Sequence, residues 1–235
     1  MICRTNAFIF ARGGSKGLPK KNILKLGDKP LVAHSIELAK KINEIENIFV
    51  STDSKEIANI ANKYGARVIK RPYNLASDKS PEWLAWKHAV KYVNENYGAF
   101  DKFLSLPATS PLRNSNDVIK CLNSLTGNID MVLTMTNAKR NPWFNMVIKD
   151  DSGIIKTINQ NIKISRRQDA PKVYDLCTVA YVTRPDFILS ASGLWEGNTI
   201  GVEIPENRSI DIDTKYDFEI ADYLYKKQNN LSKSS

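Results

Sequence analysis

The chain has 235 residues, 42% of them hydrophobic, and a net charge of +9, a length that suits one α/β domain with enough apolar side chains for a core. No apolar run reaches 18 residues, so no transmembrane helix is expected; the N-terminal "MICRTNAFIFARGG" has too short an apolar stretch and no small-residue cleavage site for a signal peptide, and the chain reads as cytoplasmic. Three scattered cysteines (Cys3, Cys121, Cys177) give neither a disulfide framework nor a zinc pattern, and two distant histidines, His34 and His88, exclude a histidine-rich metal site.

In chain order, "NAFIF" (6–10) reads as a strand followed by a glycine-rich loop, and a helix begins near Pro30 in "PLVAHSIELAKKI", with Leu31, His34, Ser35 and Leu38 on one face. "NIFVST" (47–52) is a continuous, β-branched strand. Asp53-Ser54 caps the helix "SKEIANIANKYG", which Gly65 closes. "ARVIK" is a third strand, and "SPEWLAWKHAVKYVNEN" is a helix with Pro81 at its start. The strands "KFLSL" (102–106) and "DMVLTM" (130–135) flank a helix on "NSNDVIKCLNSL". This βαβ alternation predicts a largely parallel sheet with helices on both faces. From about Asn137 to Pro171 the pattern breaks into polar residues with Trp143 and Phe144, which predicts an insertion lying off the sheet. The final "NNLSKSS" reads as a frayed tail.

The cations concentrate in residues 12–29 and again in "KISRRQDAPK" (163–172). They do not follow one helix with interleaved aromatics, so two short basic loops suit a compact polyanion at least as well as a duplex. The first loop, "ARGGSKGLPKKN", is not a P-loop, because Gly17 is followed by Leu18 and Lys16 precedes it. Nor is it G-x-G-x-x-G, since Gly13 and Gly14 are adjacent. Its physics still suits phosphate: glycines let backbone N–H groups approach oxyanions, and lysines neutralise them.

"ARGGSKGLPKKN" resembles the N-terminal signature of the cytidylyltransferases that activate sialic acids and related nine-carbon sugars. The resemblance continues in order through "VSTDSKEIANIANKYGARVIKRP", "LASDKS", "LPATSPLR", "SRRQD" and "SIDIDTKYDFEIA", covering nearly the whole chain. It implies a single Rossmann-like nucleotidyltransferase domain over 1–235, with residues 137–175 as a dimerisation arm. The implied reaction joins CMP from CTP to the anomeric hydroxyl of a nonulosonic acid and releases pyrophosphate. Such a step rests on positioning and charge stabilisation.

By that resemblance Arg12, Gly14, Ser15, Lys16, Lys21 and Asn22 hold the nucleotide, with Arg71 as a second nucleotide-binding arginine and Ser80 on the base and ribose side. Without it, Arg71 reads as a strand-end surface arginine and Ser80 as an N-cap. Lys21 and Arg167 are the implied catalytic cations, and Arg166, beside Arg167 in the insertion, suits a phosphate or the sugar's carboxylate. Asp211 and Asp213 are two apart, so an extended backbone turns both to one side. That spacing suits Mg²⁺, which takes one or two carboxylates and keeps water and phosphate oxygens; the alternative is a helix cap, and Asp217 reads as a first-turn carboxylate. Trp143, Phe144 and Met146 supply apolar area for a homodimer contact or an internal cover.

Two departures fall in the implied sugar pocket. The family often has Gln where this chain has Pro107, and an Asn-Gly pair where it has Cys177-Thr178. Proline offers no side-chain hydrogen bond, which favours a deoxygenated acceptor such as legionaminic acid. N-acetylneuraminic acid, a pseudaminic-type isomer and the eight-carbon Kdo stay open, and Cys177 reads equally as a small core residue. The competing class is a basic RNA-binding module without catalysis; the resemblance favours CTP and a sugar acid as partners, without nucleic acid or membrane.

Overall fold

A computed structural model describes residues 3–15, 17–162 and 164–231. The apolar run at the N-terminus forms β1 (Thr5–Phe10), followed by the basic loop and a two-strand ribbon of β2 (Lys25–Leu26) and β3 (Lys29–Pro30). Helix α1 (Leu31–Lys40), β4 (Ile45–Thr52), α2 (Lys55–Lys63) and β5 (Arg67–Lys70) complete the first half. Helix α3 (Glu82–Tyr97), β6 (Lys102–Ser105), α4 (Ser115–Ser124) and β7 (Met131–Asn137) follow. The chain then makes the hairpin β8 (Val147–Lys149) and β9 (Ile155–Thr157), returns through β10 (Tyr174–Thr183), and ends with α5 (Pro185–Ser190), β11 (Thr199–Glu203) and α6 (Lys215–Leu231).

Seven strands form one sheet in the order β11-β7-β10-β6-β1-β4-β5. It is parallel except for β10, which runs antiparallel to both β6 and β7. Period-two alternation sends successive strand side chains to opposite faces. Ala7 and Ile9 of β1, Val50 of β4, Leu104 of β6 and Val132 of β7 join the core under α1, α2 and α4. Phe8, Phe49, Phe103 and Met131 join the second core, with Trp83, Trp86 and Val90 of α3 and Ile188 of α5. The sheet is therefore covered on both faces, as the alternation predicts.

The local signals act where the sequence places them. Ser54 caps α2 by accepting the Ile57 amide, and Gly65 takes φ 79° just beyond its end. Asn114 and Asp117 form a reciprocal capping box at α4. The expected insertion boundaries run into the sheet, because Asn137 of β7 pairs with Tyr174 of β10. The segment between them carries the separate β8–β9 hairpin. Among the described residues, no helix is long and apolar enough to cross a membrane.

Candidate active site

A cleft of about 680 Å³ opens where the parallel strands end, the edge at which open α/β sheets take their ligands. Arg12, Ser15, Gly17, Lys21 and Asn22 line one side, following β1; Arg71, immediately after β5, and Ser80, just before α3, line another. Pro107, Ala108 and Thr109, after β6, face Thr178 and Tyr181 of β10, while Asp211, Asp213 and Thr214 close the mouth before α6.

The basic loop is held by its own contacts. The Gly13 amide donates to Asp53 Oδ1 at 2.9 Å, and the Asn22 side chain donates to the Arg12 carbonyl at 3.0 Å. A Cβ on Gly17 would stand 2.7 Å from the Asp213 carbonyl oxygen, so only glycine lets the loop lie this close to the acidic segment. Lys20 takes a left-handed φ of 55°, and the 3₁₀ turn Lys21–Ile23 starts there. Lys21 Nζ donates to Asp213 Oδ1 at 2.7 Å, joining residues 192 apart in sequence. Arg12 pairs with Asp78 at 2.6 Å, tying the loop to the segment ahead of α3.

Arg71 is 6% exposed, unlike a surface arginine. Its Nε donates to Ser51 Oγ at 3.1 Å and its Nη2 to the Ser51 carbonyl at 2.8 Å, and its guanidinium stands 5.5 Å from the Phe10 ring centroid. Burial pushes its pKa down, partly offset by the negative charges of Glu82 and Asp53, but a guanidinium stays protonated. Glu82 accepts the Trp86 indole N–H at 3.2 Å. It is open to the cleft, yet the crowding walls push its carboxyl up, against the pull of Trp86 and Arg71.

Asp211 and Asp213 flank the fully buried Ile212, and both line the cleft. Asp211 Oδ1 is buried without a hydrogen-bond partner, while Asp213 is exposed and bonded to Lys21. Asp217 accepts the amides of Asp213 and Thr214 at 3.2 and 2.8 Å and the Thr214 hydroxyl at 2.8 Å, the part expected of a first-turn carboxylate.

Of the residues singled out in the sequence, Arg12, Ser15, Lys21, Asn22, Arg71, Ser80, Pro107, Thr178, Asp211 and Asp213 all line this cleft. Gly14 sits in the same loop, with no atom within 4 Å of where a Cβ would stand. Lys16 lies outside the described residues. Cys177 is 6% exposed in a small apolar cluster with Val179 and Ile204 and does not line the cleft. Arg166 pairs with Asp169 at 2.8 Å, and Arg167 donates to the Lys139 carbonyl at 2.7 Å, both in the insertion and away from this chain's cleft. Phe10, Asp78, Glu82 and Tyr181 also line it, though the sequence reading assigns none of them a role; of the four, Asp78 lies within the quoted "LASDKS".

Residues 7–140 match the family described as "Cytidylyltransferase". The chain belongs to the cytidylyltransferase family. It is 37% identical over 228 residues to "Post-translational flagellin modification protein B" of Campylobacter coli, covering 96% of each chain. It is 35% identical to the "CMP-N,N'-diacetyllegionaminic acid synthase" of Campylobacter jejuni, covering 94% of each. The fold matches the solved structure of a CMP:2-keto-3-deoxy-manno-octonic acid synthetase complexed with CTP, with a TM-score of 0.71 at 17% identity, covering 96% of this chain and 99% of that one. The Rossmann-like cytidylyltransferase architecture is thus shared well beyond recognisable sequence identity.

Proposed function

We propose that this cytidylyltransferase joins CMP from CTP to the anomeric hydroxyl of a nonulosonic acid, with N,N'-diacetyllegionaminic acid as the favoured acceptor. The observation that carries the reading is the convergence of Arg12, Lys21 and Arg71 with Asp211 and Asp213 on one cleft. Three cations suit a triphosphate, and the likeness to a legionaminate-activating relative supports the acceptor class. Pro107 lines the cleft without a side-chain hydrogen-bonding group, and the Thr178 hydroxyl is already bonded to that of Ser110 at 2.6 Å. These two positions therefore offer no free hydrogen-bonding side chain, which suits a sugar with fewer hydroxyls.

Arg12 and Lys21 bind and orient the phosphates, and Lys21 trades its Asp213 partner for phosphate oxygen as the nucleotide enters. Arg71, with Nε and Nη2 fixed on Ser51, presents its remaining edge to the nucleotide. The sugar hydroxyl forms a bond to the α-phosphorus, the bond to pyrophosphate breaks, and the hydroxyl proton is released. Asp211 and Asp213 would hold Mg²⁺: one offers a buried oxygen without a partner and the other an exposed carboxylate. Among the described residues no group of three or more metal-binding side chains exists, so phosphate and water oxygens would complete the shell. Bound there, the ion would neutralise charge developing on the phosphates. Exposed Ile148, Ile154 and Ile155 of the hairpin, with Leu176 on β10, suit a homodimer contact that would bring Arg167 to the partner's cleft. Consumption of CTP and free thiols at Cys3, Cys121 and Cys177 suit a cytoplasmic enzyme.

Pyrophosphate release measured with CTP and a sugar panel tests the reading. Higher kcat/KM for N,N'-diacetyllegionaminic than for N-acetylneuraminic acid is expected. A clear preference for the latter would remove the legionaminate assignment and leave cytidylyl transfer standing.

A further inference from the structure

Arg113 is buried, 5% exposed, and does not itself line the cleft. It stands between the two walls that face the acceptor. On one side its Nη2 donates to the Pro107 carbonyl at 2.5 Å and to Ser35 Oγ. That carbonyl also accepts the Ser35 hydroxyl at 3.2 Å and the Ser110 amide at 3.4 Å, so three donors fix the turn after β6. On the other side Arg113 Nη1 donates to the Val179 carbonyl at 2.6 Å.

Val179 lies in a break of the β10 ladder. Cys177 pairs with Thr134 and Val182 with Val132, so residues 178–181 bulge from the sheet relative to β7. Thr134 pins the bulge from the β7 side, its hydroxyl donating to the Cys177 carbonyl at 2.7 Å and accepting the Ala180 amide at 3.3 Å. Arg113 supplies a donor to a carbonyl inside the same bulge. A bulge re-aims side chains that a regular strand would send elsewhere, and here Thr178 and Tyr181 both reach the cleft.

We propose that Arg113 is a positioning residue for the acceptor: its planar fork sets the spacing between the Pro107–Thr109 wall and the Thr178–Tyr181 bulge. A guanidinium suits this task because its rigid, divergent donors bridge two backbone carbonyls at once, which a lysine ammonium on a flexible stem does not reproduce. Among the described residues no carboxylate is in ion-pair contact with it: Asp117 is bonded to Arg208, and Asp211 and Asp117 act on its charge only through space. Burying such a charge is costly, and local packing alone would be served by an apolar side chain of similar volume. The same wall reaches the acidic segment through the Ile212 amide, which donates to the Thr109 carbonyl at 2.9 Å.

This inference rests on the acceptor reading above, and two full-length variants separate the two. Arg113→Lys keeps the charge but loses the bridge, and Ser35→Ala removes one anchor while leaving the guanidinium in place. Steady-state pyrophosphate release is read with N,N'-diacetyllegionaminic acid varied at saturating CTP, and then the reverse. For Arg113→Lys the acceptor KM is expected to rise about tenfold, with the CTP KM within about twofold of wild type; Ser35→Ala should move the acceptor KM in the same direction by about threefold. Equal changes in both KM values, or an unchanged acceptor KM in a folded variant, would overturn the positioning role. If Arg113→Lys fails to fold, the acceptor KM of Ser35→Ala decides alone by the same criteria. Wild-type enzyme inactive with this acceptor but active with another sugar acid overturns only the acceptor's identity, and the same two KM values are then read with that sugar.

Discussion

Lys21 and Asp213 sit 192 residues apart yet 2.7 Å from each other, and this contact joins the basic loop to the acidic mouth. Asp211→Ala and Asp213→Ala are each expected to lower turnover at least about 100-fold, with the circular dichroism spectrum unchanged; near-normal rates in both would leave these carboxylates as helix-approach residues. Glu82 offers a pH test. Its carboxyl is raised from an ordinary value of 4.5 by the crowding of the cleft, so the folded state binds its proton more tightly than the unfolded chain does. The stability this confers is full below about pH 4.5 and lost as pH rises through the raised value. Glu82→Gln keeps an oxygen for the Trp86 indole and is expected to raise Tm at neutral pH, the gain vanishing in acid. A gain that is the same at all pH values would contradict this origin. At this scale the basic-loop residues and the paired aspartates were legible in the sequence because each is local in the chain. Glu82 and Tyr181 were not, because tertiary structure alone brings them to the same cleft, and Asp78, though inside "LASDKS", takes its place through its pair with Arg12.

Helix α4 shows how an element carries the site. Its capping box includes Asp117, buried to 2% side-chain exposure, and Arg208 donates to both Asp117 oxygens at 2.8 and 2.9 Å. Because α4 follows Arg113 after its N-cap Asn114, this pair anchors the chain just beyond the Pro107–Thr109 wall. Asp117→Ala removes the carboxylate half of the capping box and leaves a partly buried guanidinium unpaired; it should cost about 3 kcal/mol in denaturant unfolding, and a cost within experimental error would show the pair to be idle. The parallel strands β1, β4, β5, β6 and β7 were readable as apolar runs between helical periods. The antiparallel β10 was not, since the polar Asp175 and Thr178 and the bulge at 178–181 interrupt its alternation. Strand β11 was obscured by Gly201, which lies against the Met135 side chain of β7, where a Cβ would stand 2.5 Å from Sδ; a glycine in a strand weakens its pattern.

For the whole molecule, the insertion was visible as a loss of periodicity, but its hairpin pairing was not, because three-residue strands carry too little pattern. If the arm completes the partner's cleft, Lys21→Ala and Arg167→Ala protomers fail separately but complement when mixed. Half of the randomly mixed dimers would be heterodimers with one intact site, so roughly a quarter of wild-type activity is expected. No recovery, with a monomer in sedimentation, would confine Arg167 to its own chain. On the proposed function, the cleft at the ends of the parallel strands is a CTP site serving a sugar-acid acceptor. The most direct measurement of this is pyrophosphate release with CTP, UTP, ATP and GTP at fixed N,N'-diacetyllegionaminic acid. Release with CTP far above the other three is predicted; equal release with ATP, or none with any nucleotide, would contradict it.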